Sequence, residues 1–306
     1  MAEPTVSAVV ATRDRPEMLR RAVESILTQD YEGTVECLVV FDRSDPEDLS
    51  DLDPIAPGRT LAVMRNDRTP GLAGARNAGA NAASGELLAF CDDDDEWLPD
   101  KLRRQVEALR AAPSSSTATA GIEVVTGDRV TIRLPPGDRV TLPMLLRSRA
   151  AATHPSTILV RREAFFGRIG PVDEQIPGSY GEDYEWLLRA ARSGPIAAVP
   201  APLVRVHWHA GSHFADRWRT IAEAIGYLIA KHPDVVADPR NRARLFGRVA
   251  FAHAALGERR EARRWAWRSL RAWPLERRPW LALGVSLRLA RAGTIQRWAN
   301  RTGRGI

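Results

Sequence analysis

Cysteine is nearly absent from this chain. Among 306 residues there are two, Cys37 and Cys91. Both sit inside apolar runs that read as strands, so they read as small core residues in a reducing compartment rather than as a disulfide framework. Also missing is any apolar stretch near the roughly 20 residues that a membrane-spanning helix needs. Met1 to Thr5 pass directly into a strand without a charged-then-apolar leader, and the expectation is a cytoplasmic protein. No nucleic-acid-binding motif accompanies the net charge of +6, so nucleic acid is not expected as a partner. Core material is plentiful, with 44% hydrophobic residues. That supports one large domain, or one domain with an appendage.

The charge is unevenly spread. Residues 214–306 hold 20 Lys and Arg against 7 Asp and Glu, a surplus of 13, whereas residues 1–213 hold 24 against 31. An acidic body is followed by a strongly basic tail, and the two call for separate readings.

The body is organised around one stretch. Leu87 to Cys91 is apolar and runs straight into Asp92, Asp93, Asp94 and Asp95. A short buried strand therefore delivers four carboxylates to its own C-terminal end. In open α/β sheets that edge is where ligands bind. Four like charges repel unless water solvates them or a cation shares them, and hard oxygen ligands suit Mg²⁺ or Mn²⁺. A solvated turn is the plain alternative. A calcium loop is excluded, because counting from Asp92 the sixth position is Trp97 rather than Gly and the twelfth is Arg103 rather than Glu.

Around this stretch, strands and helices alternate. Val6–Ala11 is β-rich and stops at Thr12-Arg13-Asp14-Arg15-Pro16, where Pro16 fits a first helical turn and Asp14 a nearby cap. Leu19, Val23, Ile26 and Leu27 then form an apolar helix face. Glu36–Phe41 is a second strand ending at Asp42, and Thr60–Arg65 a third. The small-residue run Ala73–Ala83 predicts a helix packed close to its neighbour, and Leu87–Cys91 is the fourth strand. Near-continuous apolar strands alternating with helices predict a parallel sheet with right-handed crossovers. Further on, Ala111–Ala120 reads as a surface loop. Ile122–Val125 and Arg129–Leu134 form a hairpin around Gly127-Asp128, and Ile158–Val160 and Pro200–Val206 are further strands. Asp95 is a candidate cap for a helix starting at Pro99.

Six motifs in order carry a resemblance: V-S-A-V-V-A-T-R-D-R-P-E-M-L, L-V-V-F-D-R-S, P-G-L-A-G-A-R-N-A-G-A, S-G-E-L-L-A-F-C-D-D-D-D-E-W-L-P-D-K-L, G-E-D-Y-E-W-L-L-R-A and R-V-H-W-H-A-G-S. Over roughly residues 5–213 the chain resembles a family-2 inverting glycosyltransferase of the GT-A fold. The resemblance implies a Rossmann-like, mainly parallel mixed sheet flanked by helices. It assigns 1–213 to the transferase domain, with 1–112 as the nucleotide-sugar half and 113–213 as the acceptor half. Residues 214–306 become a basic, tryptophan-rich helical appendage.

The same resemblance implies roles. Thr12, Arg13 and Asp14 would face the base and ribose of the donor. Asp42 would accept from a uracil-type base N–H, or else only cap a turn. Arg76, with Asn77 beside it, would lie at the donor diphosphate, or else pair with the acidic run. Asp92, Asp93 and Asp94 cover the family's D-x-D pattern, with Asp94 the first choice for metal contact and Asp92 supporting ribose or metal. Asp183 would be the base that takes the acceptor proton, with Glu182 adjacent and a helix N-terminus keeping the carboxylate ionised. Simple capping of that helix is the alternative. His209 and Ser212 match the element near metal and diphosphate. Zinc at the His207–His213 cluster is the weaker reading, because no cysteine lies close in sequence. His154 reads either as a ligand-contacting or as a structural histidine.

The implied activity is metal-dependent, inverting transfer of a sugar from a UDP-type nucleoside diphosphate to a saccharide, lipid-linked or other hydroxyl acceptor. A sugar-nucleotide pyrophosphorylase would need a glycine-rich loop after the first strand, which this chain lacks. A non-catalytic nucleotide-sugar-binding or scaffold protein is the rival from another class.

In the tail, Trp218, Ile221, Ala222, Ile225, Leu228 and Ile229 are helically spaced. Further helices are predicted at 242–256, 259–272 and 278–292. Gly257, Ala262, Ala266, Ser269 and Pro274 echo half of a tetratricopeptide unit, which supports a helical hairpin only. Trp265, Trp267, Trp273, Trp280 and Trp298 are interleaved with arginines. That pattern fits either a peripheral contact with an anionic membrane at its inner face or tryptophans packing helices together.

Overall fold

The structure is a computed structural model and describes residues 2–52, 56–147, 153–207 and 217–301. In chain order the elements are β1 (Val6–Thr12), α1 (Pro16–Leu27), β2 (Val35–Phe41), β3 (Arg59–Arg65), α2 (Leu72–Ala82), β4 (Leu87–Asp92), β5 (Asp95–Trp97) and α3 (Lys101–Ala111). There follow β6 (Thr117–Thr126), β7 (Arg129–Arg133), β8 (Arg139–Val140), α4 (Leu142–Arg147), β9 (Leu159–Arg161), α5 (Arg162–Phe166), α6 (Glu182–Ser193) and β10 (Ile196–His207). The last five are helices: α7 (Trp218–Lys231), α8 (Pro239–Ala255), α9 (Arg259–Ala272), α10 (Arg278–Ser286) and α11 (Ala292–Arg301). The chain forms two compact units. One comprises Met1–Leu145, Arg149–Glu174 and Glu182–Trp208, the other Leu146–Ser148, Gln175–Gly181 and His209–Ile306.

In the first unit, the described strands form one mixed sheet in the order β3-β2-β1-β4-β9-β6-β10-β5, with β7 beside β6 and β8 beside β10. β3, β2, β1 and β4 run parallel. β9 lies antiparallel between β4 and β6, and β6 is parallel to β10. Every residue of β1 is buried, as both faces of a parallel sheet covered by helices require. α1 buries Leu19, Ala22, Val23, Ile26 and Leu27. A fully buried Leu, Val or Ile contributes about 1.5–3 kcal/mol. α2 lies against β1 and β2, and its small residues permit the approach. A methyl group added at Gly79 would stand 2.4 Å from Cγ1 of Val9.

Three local expectations need correction. The N-cap of α1 is Arg15 and makes no side-chain cap bond; Asp14 instead sits in the left-handed region at φ 54°, a conformation Asp tolerates better than most residues. Asp95 caps no helix, since α3 starts at Lys101 behind Asp100 while Asp95 pairs with Val206 in β5. The stretch read as a surface loop, 111–120, ends inside β6, a strand flanked in the sheet by β9 and β10. Its polar composition misled, because a buried hydroxyl can be matched inside: Thr119 Oγ1 lies 2.7 Å from Thr157 Oγ1.

In the second unit α8, α9 and α10 pack on one another. Ala250, Phe251, Ala254, Ala262, Ala266 and Ala282 form their shared core. Ala262 and Ala266, two of the small residues that suggested a hairpin, lie in this core, and Ser269 Oγ donates to Ala243 O at 2.6 Å. The helix expected over 278–292 ends at Ser286. Arg288 turns left-handed at φ 64°, with Arg288 N bonded to Val285 O and Leu289 N to Gly284 O, each at 2.9 Å. That bond pair is a Schellman stop, made without the usual glycine.

Candidate functional site

The register of the sheet brings the sequence candidates to one edge. Ala11 of β1 pairs with Asp92 of β4, and Thr12 pairs with Phe41 of β2. Arg13, Asp42 and Asp93 therefore leave the sheet at one level, at the C-terminal ends of three parallel strands, where open α/β sheets take ligands.

Asp93 is gripped by the loop after β1. Its Oδ2 accepts from Thr12 Oγ1 at 2.8 Å and from Arg13 N at 3.4 Å, and Arg15 Nη1 reaches its Oδ1 at 3.0 Å. The same Arg15 nitrogen donates to Asp94 Oδ2 at 2.7 Å. Burial pushes the Asp93 carboxyl up to about 6; Arg15 opposes this and Asp94 adds to it. Arg13 and Asp14 are exposed. Thr12 and Asp93 thus hold the loop's shape, while Arg13 and Asp14 face solvent.

Arg76, on α2, is buried. Its guanidinium binds Asp92 Oδ1 at 2.5 Å and also Glu182 at the start of α6. Burial opposes its charge, but Asp92, Glu182 and Asp183 outweigh burial and hold it protonated. On the carboxylate side, burial drives Glu182 up to about 7 against the pull of Arg76, with Asp183 and Asp92 adding repulsion. Both shifts are upward, which keeps the cation charged but favours the neutral acid in one ion pair. One guanidinium faces three carboxylates, so the cation stays charged and the excess negative charge takes up a proton. At Glu182, burial outweighs what the helix N-terminus offers a negative charge. Asp183 beside it is buried as well.

Asn77 is buried and spends its amide on the loop around Val172. Nδ2 donates to Val172 O at 2.8 Å and Glu174 Oε1 at 2.7 Å, and Oδ1 accepts from Val172 N at 2.9 Å. Glu174 also takes Arg68 Nε at 2.6 Å. Asn77 is in this way a pin for that loop. Asp42 Oδ1 accepts from Asn66 Nδ2 at 2.8 Å and from Gly71 N at 2.9 Å; among the described residues no bond falls on its Oδ2. Gly71 has φ 124°, which only glycine adopts readily.

A group of side chains that could hold a metal ion lies at the end of β4. Asp92, Asp95 and His154 bring one ligand atom each within 4.8 Å of one another. His154 Nδ1 lies 3.3 Å from Asp95 Oδ2. Ser156 Oγ accepts from Asp92 N at 3.0 Å and donates to Asp95 Oδ2. Burial, then Asp92 and Asp94, push Asp95 well above the usual carboxylate range. The side chains of Asp92 and Asp94 are 24% and 23% exposed, against 1% for Asp95. A hard cation that bridges protein to substrate needs the exposed oxygens, so Asp95 and His154 stand behind Asp92. The part-exposed carboxylates of Asp92 and Asp94 are hard oxygen donors that fit Mn²⁺ or Mg²⁺.

His209 and Ser212 lie outside the described residues. Sequence reasoning passed over Arg15 and Ser156. Arg15 was visible only as one of two arginines flanking Asp14, and no spacing rule joins Ser156 to an aspartate 61 residues away.

The protein-family model described as glycosyl transferase family 2 matches residues 7–166. The succinoglycan biosynthesis protein ExoO of Rhizobium meliloti (strain 1021) is 33% identical over 209 residues, 64% of this chain and 58% of that protein. The UDP-Glc:alpha-D-GlcNAc-diphosphoundecaprenol beta-1,3-glucosyltransferase WfaP of Escherichia coli is 31% identical over 104 residues, 34% of this chain and 41% of that protein. The chain thus spans less than two thirds of either relative. Of solved structures, S. aureus TarS 1-349 in complex with UDP-GlcNAc superposes with a TM-score of 0.64 at 16% identity, over 98% of this chain and 92% of that one. The mannosyltransferase PcManGT from Pyrobaculum calidifontis, in complex with GDP-Man and Mn²⁺, gives 0.57 at 19% identity over 97% and 90%. At such identities the likeness is one of fold. Matched by the family model over more than half its length, the chain belongs to glycosyl transferase family 2 and has the GT-A fold of these structures.

Proposed function

We propose that the chain transfers a sugar, with inversion, from a nucleoside diphosphate of the UDP type to an acceptor hydroxyl during polysaccharide or glycoconjugate synthesis. The observation that carries this reading is the meeting of Asp92 and Glu182 on Arg76, at the edge where Asp42 and the loop after β1 also end. Oδ2 of Asp42 is suited to accept a base N–H. Arg13 and Asp14, exposed on a loop held by Asp93, would contact the ribose side. Asp92 and Asp94 are the part-exposed carboxylates that would hold Mn²⁺ or Mg²⁺, which when bound would neutralise the leaving diphosphate. Arg76 acts through Asp92 and Glu182, since both of its terminal nitrogens are bound to carboxylates. Asp183 is the base that accepts the acceptor proton. The acceptor is read as a saccharide or lipid-linked hydroxyl compound, met at the inner face of the membrane by a peripheral protein; no helix of the described residues is long and apolar enough to cross one.

The experiment is a thermal-shift screen of UDP-, GDP- and dTDP-sugars with and without Mn²⁺, followed by transfer assays. A UDP-sugar should raise Tm only with Mn²⁺ present, and Asp94→Ala should abolish the shift. Asp183→Asn should keep the donor shift but lower kcat by about 10²–10⁴-fold. An Asp183→Asn enzyme as fast as the parent would remove the assignment of the base, and no shift with any donor would remove the donor site.

A further inference from the structure

The second unit carries a surface that the sugar chemistry does not use. From Arg277 to Ile306 the sequence contains seven arginines and no Asp or Glu. Of these arginines, Arg277, Arg288 and Arg291 are exposed and make no ion pair among the described residues. Arg278 is held by Glu276 at 2.8 Å.

Large apolar side chains stand among these charges. Leu275 is 78% exposed, Trp280 56%, Leu287 56% and Leu289 80%. Trp280, Gly284 and Leu287 follow the i, i+4, i+7 spacing of one helical face. A methyl group added at Gly284 would meet nothing within 4 Å, so that face of α10 is open. The opposite face is buried through Pro279, Ala282 and Ser286. The Schellman stop at Arg288 ends the helix and leaves Leu287 and Leu289 on the outside. At the other end Trp280 Nε1 donates to Pro274 O at 3.1 Å, which fixes the indole beside the turn bearing Leu275.

We infer that the outer face of α10 and its two flanking turns, Leu275, Trp280, Leu287 and Leu289 with Arg277, Arg288 and Arg291, form a docking surface for an anionic lipid bilayer. Exposed leucines that would cost free energy in water gain from the acyl boundary, and an indole with its N–H already bonded suits the interface. The arginines meet anionic headgroups without a competing acidic side chain. A nucleic acid would use the arginines but leave the three leucines wet. A second copy of this basic unit would bring like charge against like. The inference gives a surface to the peripheral contact proposed above, and it does not depend on sugar transfer.

The test is co-sedimentation of the full chain with phosphatidylcholine vesicles, with or without about 30 mol% phosphatidylglycerol. Binding should be at least about tenfold tighter to the anionic vesicles and should weaken in high salt. Leu287→Asp with Leu289→Asp should lose about tenfold or more, and Arg288→Ala with Arg291→Ala should lose several-fold. All four positions are exposed, so the variants should melt as the parent does, which thermal unfolding verifies. Equal binding to both vesicle types, or parental binding by the double Asp variant, would overturn the inference. So would arginine-dependent, leucine-independent binding that duplex DNA competes away. The assay contains no sugar donor, so its failure and the failure of the donor screen are separate results.

Discussion

Lys101 is fully buried beneath the acidic edge, with Nζ 3.6 Å from the centre of the Trp97 ring and, among the described residues, no hydrogen-bond partner. Burial pushes its ammonium down to about 7, with Cys91 pulling the other way. The folded pKa lies below the ordinary 10.5, so the folded state sheds a proton that the unfolded state keeps. Stability then rises with pH between about 7 and about 10.5, and below that window the penalty is full. Lys101→Met keeps an apolar stem and removes the charge. It should stabilise the chain by about 1–2 kcal/mol at neutral pH after loss of the cation–π contact, and it should flatten the alkaline rise. Urea unfolding at neutral and alkaline pH measures both; destabilisation with an unchanged pH slope would mean that the amine is not the source of the slope. Ser156 makes a different residue-scale case, because its hydroxyl ties Asp92 N to Asp95. Ser156→Ala should weaken Mn²⁺ binding by about 10–100-fold while leaving the melting curve in chelator close to the parent's. At this scale the sequence shows charges that cluster along the chain, such as Asp92–Asp95 or Glu182-Asp183. It does not show the neutral hydroxyl or the lone arginine that fixes them, because the chain brings those from far away.

At the scale of elements, α2 illustrates what composition can say. Its run of Ala, Gly and Asn predicted a helix close to its neighbour, and Gly79 is where the contact is tightest. A Cβ there would stand 2.4 Å from Val9 Cγ1 and 3.0 Å from Val40 Cγ2. Gly79→Ala should cost about 1–3 kcal/mol by overpacking, despite the better helix propensity of Ala, and Gly79→Leu should cost more. Thermal melts of both variants decide it; a stabilised Gly79→Ala would show that β1 yields to α2. The parallel half of the sheet was legible because β1, β2 and β4 are nearly continuous apolar runs. β6 was not, since a Ser/Thr-rich strand start has the composition of a loop and only tertiary partners such as Thr157 distinguish the two. The stop of α10 was likewise hidden. A left-handed arginine in place of glycine leaves no mark in a periodicity count.

Across the molecule, the carboxylates of the acidic edge store destabilisation that a cation can relieve. Burial holds Glu182 up at about 7, from 4.5, and Asp93 at about 6, from 3.8. A raised carboxyl holds a proton in the folded state that the unfolded state has lost. Stability without metal should therefore fall as pH rises from about 4 to about 7. Glu174 has the opposite sign. Burial pushes it up, but its bonds from Asn77, Arg68 and Thr69 outweigh this and hold it at about 2. Its contribution is lost only as pH falls below about 4.5, so the two windows meet only near pH 4. A divalent ion competes with protons for carboxylate oxygens, and its stabilisation grows as they leave. The difference in Tm between excess Mn²⁺ and chelator should then widen from about pH 5 to about pH 7.5, the underlying stabilisation being about 2.7 kcal/mol where Mn²⁺ is at 100 times its Kd. Asp92→Asn should close that gap. A gap that stays constant with pH, or survives in Asp92→Asn, would place the ion away from this edge, because no other assignment links the titration of Glu182 to the metal through Asp92 and Arg76.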